Sequence, residues 1–253
     1  MMRKIVFASD LDNTLLFSQK HAVETDLCVE YLNGMPQGYL TQDTPRYLEQ
    51  IMQSALFVPV TSRSVEQYRR IQFPAACRPR YAVTTNGAIL LIDGEIDRQW
   101  QQASLAAVRP WKDAFGEILQ ILREQPLAKR FRVVDEMFVF AACDTPQDAV
   151  ELKEALEKRS PLKIEVTGRK LYFFPPQINK GAVIPKLKAY FHADWVICAG
   201  DSSIDIPMLQ QADVSIVPNQ EMMSGIACRN VAACTPSERF YEFALKETIR
   251  RLN

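Results

Sequence analysis

The chain carries no net charge: 30 lysines and arginines balance 30 aspartates and glutamates over 253 residues. That balance argues against a general nucleic-acid-binding or membrane-surface role, either of which needs a basic face or tail. No apolar run approaches the roughly 20 residues that span a bilayer. The N-terminus leads directly into a first strand, without the longer apolar region of a signal peptide. Histidine is scarce, at two residues, and the six cysteines at positions 28, 77, 143, 198, 228 and 234 show no CxxC spacing. A zinc site and a disulfide framework are therefore not expected; reduced, mostly buried thiols in a cytoplasm are. Repeats and low-complexity segments are also missing. What is present is an ordinary globular composition, 47% hydrophobic and 24% charged. The length suits one large domain, or a core domain with a smaller partner.

The most informative stretch is Ile5-Val6-Phe7-Ala8-Ser9-Asp10-Leu11-Asp12-Asn13-Thr14. Its apolar run reads as a strand buried on both faces. It stops on two aspartates, where the strand ends of an open parallel sheet bind ligands. Two carboxylates so close repel unless a positive group sits beside them, and a divalent metal is the natural candidate.

Further along, Leu56-Phe57-Val58-Pro59-Val60 and Tyr81-Ala82-Val83 are buried strands ending on Thr61-Ser62-Arg63-Ser64 and Thr84-Thr85-Asn86-Gly87. Apolar strands alternating with helices predict a parallel sheet. Between the first two, residues 27–41 read as a β-hairpin around Asn33-Gly34, followed by a helix with Asp43 or Thr44 as cap and Pro45 at its start. From 88 to 178 the texture changes to hairpins alternating with helices, one helix over about 105–122 and one over 148–158. This is an α+β module, and Pro175-Pro176 marks its exit. The parallel pattern resumes with Trp195-Val196-Ile197-Cys198-Ala199, ending on Gly200-Asp201-Ser202-Ser203-Ile204-Asp205. Asp205 is placed to cap a helix over 206–211, Val214–Val217 forms another strand, and Ser237 is placed to cap a C-terminal helix. The reading is an α/β protein: a Rossmann-like parallel-sheet core (1–87 plus 179–253) with an inserted α+β cap domain (88–178).

Four segments, in order along nearly the whole chain, carry a resemblance: Asp10-Leu11-Asp12-Asn13-Thr14, Thr61-Ser62-Arg63, Lys180 in Asn179-Lys180-Gly181, and Gly200-Asp201-Ser202-Ser203-Ile204-Asp205. Together they resemble the phosphatases of the haloacid dehalogenase superfamily, in the Cof-like type IIB branch, whose C2-type α/β cap is inserted late. The resemblance implies a Mg2+-dependent phosphatase acting on a small phosphate ester. Asp10 would be the nucleophile, forming an aspartyl phosphate, and Asp12 the general acid and base. Mg2+ would be held by the side chains of Asp10 and Asp201 and the main-chain carbonyl of Asp12, with Asp205 supporting from behind. Thr61 and Ser62 would hold phosphate oxygens, and Lys180 would neutralise Asp10 and the phosphoryl group. Arg63 is open between a substrate contact and a structural arginine, and Asn86 between the site and the turn. Tyr172-Phe173-Phe174 reads as cap core in preference to a sugar platform, and Arg130, Arg132, Arg169 and Lys170 as solvated charges in preference to substrate contacts.

Two departures from the pattern carry expectations. Asn13 stands where the family usually has glycine, and asparagine tolerates the backbone angles of such a turn. The hairpin lengthens the segment between the first two motifs and is expected to form a flap over the site. A phosphomutase with the same nucleophile, and a non-catalytic phosphometabolite-binding module, are the alternatives.

Overall fold

The computed structural model describes residues 3–228 and 230–253. Its centre is a five-stranded parallel sheet of β1 (Ile5–Ser9), β2 (Leu56–Pro59), β3 (Trp195–Ala199), β4 (Val214–Val217) and β5 (Val231–Ala233), in spatial order β5-β4-β3-β1-β2. β1 lies between β3 and β2, and its residues from Val6 to Ser9 are fully buried, as a parallel strand covered on both faces must be. Pro59 closes β2, an edge strand, where a missing N–H is tolerated. Pairing runs from Ile5 opposite Trp195 to Ser9 opposite Ala199, so the carboxyl ends of β1 and β3 are level. The peptide links continue one step beyond the strands: Asp10 N–H donates to Ala199 O at 2.9 Å and Val60 N–H to Ser9 O at 2.7 Å.

Two compact units divide the chain, residues 1–96 with 180–253, and Asp97–Asn179. The strands Ile89–Ile92 and Glu95–Ile96, read from sequence as the start of the insert, belong to the first unit: Ile89–Ile92 pairs antiparallel with Tyr81–Thr84 on one side and with Glu95–Ile96 on the other. Tyr81–Thr84 itself meets the parallel sheet through one parallel bridge, Val60 to Val83. The hairpin forms as expected, Leu27–Leu32 against Met35–Leu40, with Asn33 (φ 52°) and Gly34 (φ 76°) supplying the left-handed turn that matches strand twist. It is anchored at its base: Gln72 N–H donates to Val29 O at 2.7 Å, and Glu30 bridges Ile71. The following helix is Thr44–Met52, with Pro45 in its first turn.

The second unit holds a four-stranded antiparallel sheet, in spatial order Lys163–Thr167, Lys170–Phe174, Phe138–Ala142, Arg130–Val134. Helix Lys112–Glu124 packs on the last two and Pro146–Glu157 on the first two. The expected helix over 105–122 is two helices, Arg98–Val108 and Lys112–Glu124. Pro110, in the short Arg109–Trp111 turn between them, cannot continue the helical ladder. Phe173 is fully buried, whereas Tyr172 and Phe174 stack at 5.6 Å on the opposite face beside Phe138. No helix among the described residues is long and apolar enough to cross a membrane, and all six cysteines are free.

Candidate active site

β1, β2 and β3 bring the ends of three distant segments together, and the side chains there form one hydrogen-bonded cluster. Lys180, from the short turn Lys180–Ala182, is 2% exposed. Its Nζ donates to Asp10 Oδ1 at 2.5 Å and to Asp205 Oδ1 at 2.6 Å. Thr14 Oγ lies 3.4 Å from Asp10 Oδ2 and 3.3 Å from Asp201 Oδ1, within reach of both. Carboxylate oxygens of Asp10, Asp201 and Asp205 all lie within 4.8 Å of one another. Asp10, Asp201, Asp205 and Lys180 are thus brought together, and Thr14, a member of the first motif with no role expected of it, joins them.

Asp205 does not cap its helix. That helix is only Ile206–Leu209, and no side-chain cap bond is made. Asp205 Oδ2 instead accepts from the Asp201 and Ser202 N–H groups at 3.2 and 3.0 Å and from Ser202 Oγ at 2.8 Å. Its carboxylate is fully buried and ties the 200–202 loop to Lys180. Gly200 makes this possible, because a Cβ there would stand 2.5 Å from Asp205 Cβ. The C-terminal helix likewise starts later than expected, at Phe240, with Arg239 at its cap position; Ser237 Oγ meets Thr235 instead.

The Asp12 carboxylate, near enough for its charge to act on Asp10 and Asp201, is gripped by an arginine. Arg63 Nε donates to its Oδ2 at 2.8 Å and Arg63 Nη2 to its Oδ1 at 2.7 Å, a two-pronged grip. Arg63 Nη1 donates to Glu30 Oε2 at 2.8 Å. The guanidinium is thus committed to two carboxylates, which favours the structural alternative over the substrate contact. Glu30, the hairpin residue that completes the arrangement, was missed from sequence. The only signal was a charged residue on an otherwise apolar stretch of strand.

Thr61 is fully buried and its hydroxyl accepts from Arg63 N–H at 3.2 Å, closing the turn after β2 while keeping its own proton to donate. Ser62 is half-buried on that turn, and among the described residues no acceptor meets its N–H. Asn86 N–H donates to Thr61 O at 3.0 Å and Thr85 N–H to Arg63 O at 2.7 Å. Thr85 (φ 55°) and Asn86 (φ 57°) both hold left-handed backbone, which is strained for a β-branched residue. The 85–87 turn packs against the 180–182 turn that carries Lys180. Asn13 adopts φ 60°, the conformation expected of the residue in glycine's place.

The charges do not balance. Three buried or half-buried carboxylates surround one lysine. Burial raises Asp10 well above the usual carboxylate range; Lys180 opposes that, and Asp205 and Asp201 add to it. Burial, then Asp205, pushes Asp201 up to about 7, against the pull of Lys180. Burial works against the Lys180 ammonium, but Asp10 and Asp205 outweigh it and raise its pKa, so it stays charged. The cluster is short of positive charge and rich in hard oxygen donors, the condition a divalent cation satisfies.

Residues 123–220, a span that holds Lys180, Asp201 and Asp205, match the family model of the haloacid dehalogenase-like hydrolases. No curated protein compared with the chain matches it in sequence. Among solved structures, the sucrose-phosphatase of Synechocystis sp. PCC6803, in complex with sucrose and phosphate, is similar over 99% of this chain and 98% of its own, with TM-score 0.67 and 18% identity. A Thermoplasma acidophilum protein is similar over 100% and 99%, with TM-score 0.62 and 12% identity. A haloalkanoate (HAD) superfamily phosphatase of Bacteroides thetaiotaomicron is similar over 98% and 95%, with TM-score 0.55 and 16% identity. At such identities the likeness speaks for the fold. The family match over residues 123–220 points to the same superfamily that the four sequence motifs resemble.

Proposed function

We propose that the protein is a Mg2+-dependent phosphatase that hydrolyses a small phosphorylated metabolite, a sugar phosphate being the leading class, through an aspartyl phosphate on Asp10. The observation that carries this reading is the placement of the Asp10 carboxylate between Lys180 on one oxygen and Thr14, shared with Asp201, near the other. A carboxylate so held is oriented for attack on phosphorus, and Lys180 offsets the repulsion between two anions. Asp12 would protonate the leaving alcohol and later accept a proton from the attacking water. Thr61 and the Ser62 N–H would receive phosphate oxygens, and Asn86, on the neighbouring strained turn, would stand beside them. Asp10, Asp201 and the Asp12 main-chain carbonyl would hold the metal, with Asp205 fixing the loop behind. The ion would supply charge neutralisation at the phosphoryl group. The unit Asp97–Asn179 would serve as the cap that selects the ester, and the 27–41 hairpin as a flap. Small phosphate esters in a cytoplasm, with no nucleic acid or membrane partner, are the proposed setting.

Purified protein is expected to release phosphate from p-nitrophenyl phosphate with Mg2+, to stop with EDTA, and to recover when Mg2+ is restored. Absence of hydrolysis on a panel of phosphorylated metabolites would overturn the reading. Isomer formation from a hexose phosphate without phosphate release would mark a mutase.

The charge imbalance also sets a pH dependence. A carboxyl raised from 3.8 to about 7 holds its proton in the folded state over that window, whereas the unfolded chain has lost it. Asp201 therefore stabilises the metal-free fold at low pH, and this contribution is lost as pH rises to about 7. Thermal unfolding in EDTA is expected to show a falling midpoint from pH 5 to 7.5, with a shallower fall in Asp201→Asn. Mg2+ is expected to raise the wild-type midpoint more at pH 7.5 than at pH 5, since protons and metal compete for the same oxygens. Equal stabilisation at both pH values would count against metal binding by this cluster.

A further inference from the structure

We infer that Glu30, carried by the hairpin, is a positioning residue for Asp12, acting through Arg63. The inference rests on the phosphatase reading, because it concerns the proton Asp12 gives to the leaving group.

Asp12 and Glu30 come from elements with no sequence relation, and both converge on one guanidinium. Arg63 meets Asp12 through Nε and Nη2 and Glu30 through Nη1, at 2.7–2.8 Å throughout. Glu30 also accepts from Arg70 Nε at 3.3 Å. Charges therefore alternate along Asp12, Arg63, Glu30 and Arg70. Within this chain the degree of burial differs sharply. The Asp12 side chain is 46% exposed and that of Glu30 only 4%. The arginine fork grips the half-exposed Asp12 carboxylate at both oxygens. The fork in turn is held at its far end by a carboxylate that packing does fix. Glu30 is locked by the bridge to Ile71 and by Gly38 across the hairpin, where a Cβ would stand 3.0 Å from Glu30 Oε2 and 2.6 Å from Leu16. Arg63 has one further contact at Nη1, a long one to Gln67 O at 3.5 Å, so Glu30 supplies the close hold on that side.

An acid that must deliver a proton at a defined oxygen needs one orientation. If Glu30 is removed, Arg63 loses its near anchor and Asp12 loses its fixed partner. The bond from phosphorus to the leaving oxygen then breaks with that oxygen unprotonated. The cost depends on the leaving group: it is large for an oxygen that needs the proton and small for one that departs as a stable anion. Damage to packing alone would cost the same with every ester.

The test compares kcat/KM for phenyl phosphate, p-nitrophenyl phosphate and 2,4-dinitrophenyl phosphate with Mg2+, in wild type, Glu30→Ala, Glu30→Gln and Arg63→Lys. Glu30→Ala is expected to lose roughly 10- to 100-fold on phenyl phosphate, part of the contribution of a positioned acid, and only about 3-fold or less on the dinitrophenyl ester. Glu30→Gln keeps one acceptor for Arg63 and is expected to fall between wild type and Glu30→Ala. It also serves as the readout should the alanine variant fail to fold. Arg63→Lys keeps the charge without the fork and is expected to show the same leaving-group dependence. Wild-type activity with losses equal across the three esters, or with no loss, overturns the positioning role alone. Wild type inactive on all three overturns the phosphatase reading and this inference with it.

Discussion

Asp10→Asn is expected to reduce phosphate release from p-nitrophenyl phosphate by about 10⁴-fold or more, to the level of the protein-free solution, since removal of a covalent nucleophile is among the costliest changes an enzyme can suffer. The substitution is nearly isosteric. Its amide oxygen still accepts from Lys180, whose Nζ retains Asp205 at 2.6 Å. One negative charge also leaves a crowded cluster of three carboxylates. The variant should therefore fold, with an unfolding midpoint within a few degrees of wild type. A second readout separates the nucleophile from a mere binding group. Wild type mixed rapidly with a labelled phosphate ester and quenched in acid should carry label on the protein, and Asp10→Asn should carry none. Labelled Asp10→Asn protein, or retained turnover, would sink the assignment.

Lys180→Met is the complementary case, in which stability and activity fall together. Lys180 is the only cation placed against Asp10 and Asp205 among the described residues, and it is fully enclosed with them. Removing one partner of a buried ion pair costs about 3–5 kcal/mol because the remaining charge is left without compensation. For a chain of this size each kcal/mol moves the midpoint by about 2–4 °C, so a fall of about 6–20 °C is expected. Protonation of Asp10, already favoured by its burial, moderates the loss at low pH. Mg2+ should recover part of the midpoint, and more in this variant than in wild type. Turnover should drop at saturating Mg2+, since the ion does not replace the ammonium between Asp10 and Asp205. An unchanged midpoint in EDTA would show that Lys180 does not compensate the cluster.

Much of this was legible because the relevant signals are local. The run before Asp10, the run before Thr61 and the run before Gly200 each combine burial on both faces with a polar stop, and the structure makes them adjacent strands of one parallel sheet. Asn33-Gly34 announces its turn through its left-handed preference. What was not legible depends on distance. Asp205 sits where a helix cap sits, and only the return of the 200–202 loop shows that it serves that loop and Lys180 instead. Pro110 was visible, but the apolar spacing across it imitated one continuous helix. The pairing of Ile89–Ile92 with Tyr81–Thr84 was hidden because strands on either side of a tight turn carry no mark of which unit they serve. Glu30 lies 33 residues from Arg63, and nothing in either segment alone points to the other.

The neighbours of β1 have a consequence for how the protein is made. One of its two partners, β2, follows within about 50 positions, but the other, β3, is 190 residues away. At roughly 5–20 residues per second of synthesis, β1 waits about 10–40 s on the ribosome with one edge bare. Asp97–Asn179, a compact unit with its own sheet, emerges in that interval and needs no strand of the first unit to complete its pairing. Lys180 and Asp201 come later still, so for that interval a nascent chain carries Asp10, Asp12 and Thr14 without the lysine and the loop that complete the cluster. The strand that covers this edge and the loop that carries Asp201 emerge together, and a chain stalled before Trp195 presents an unprotected hydrophobic edge to chaperones.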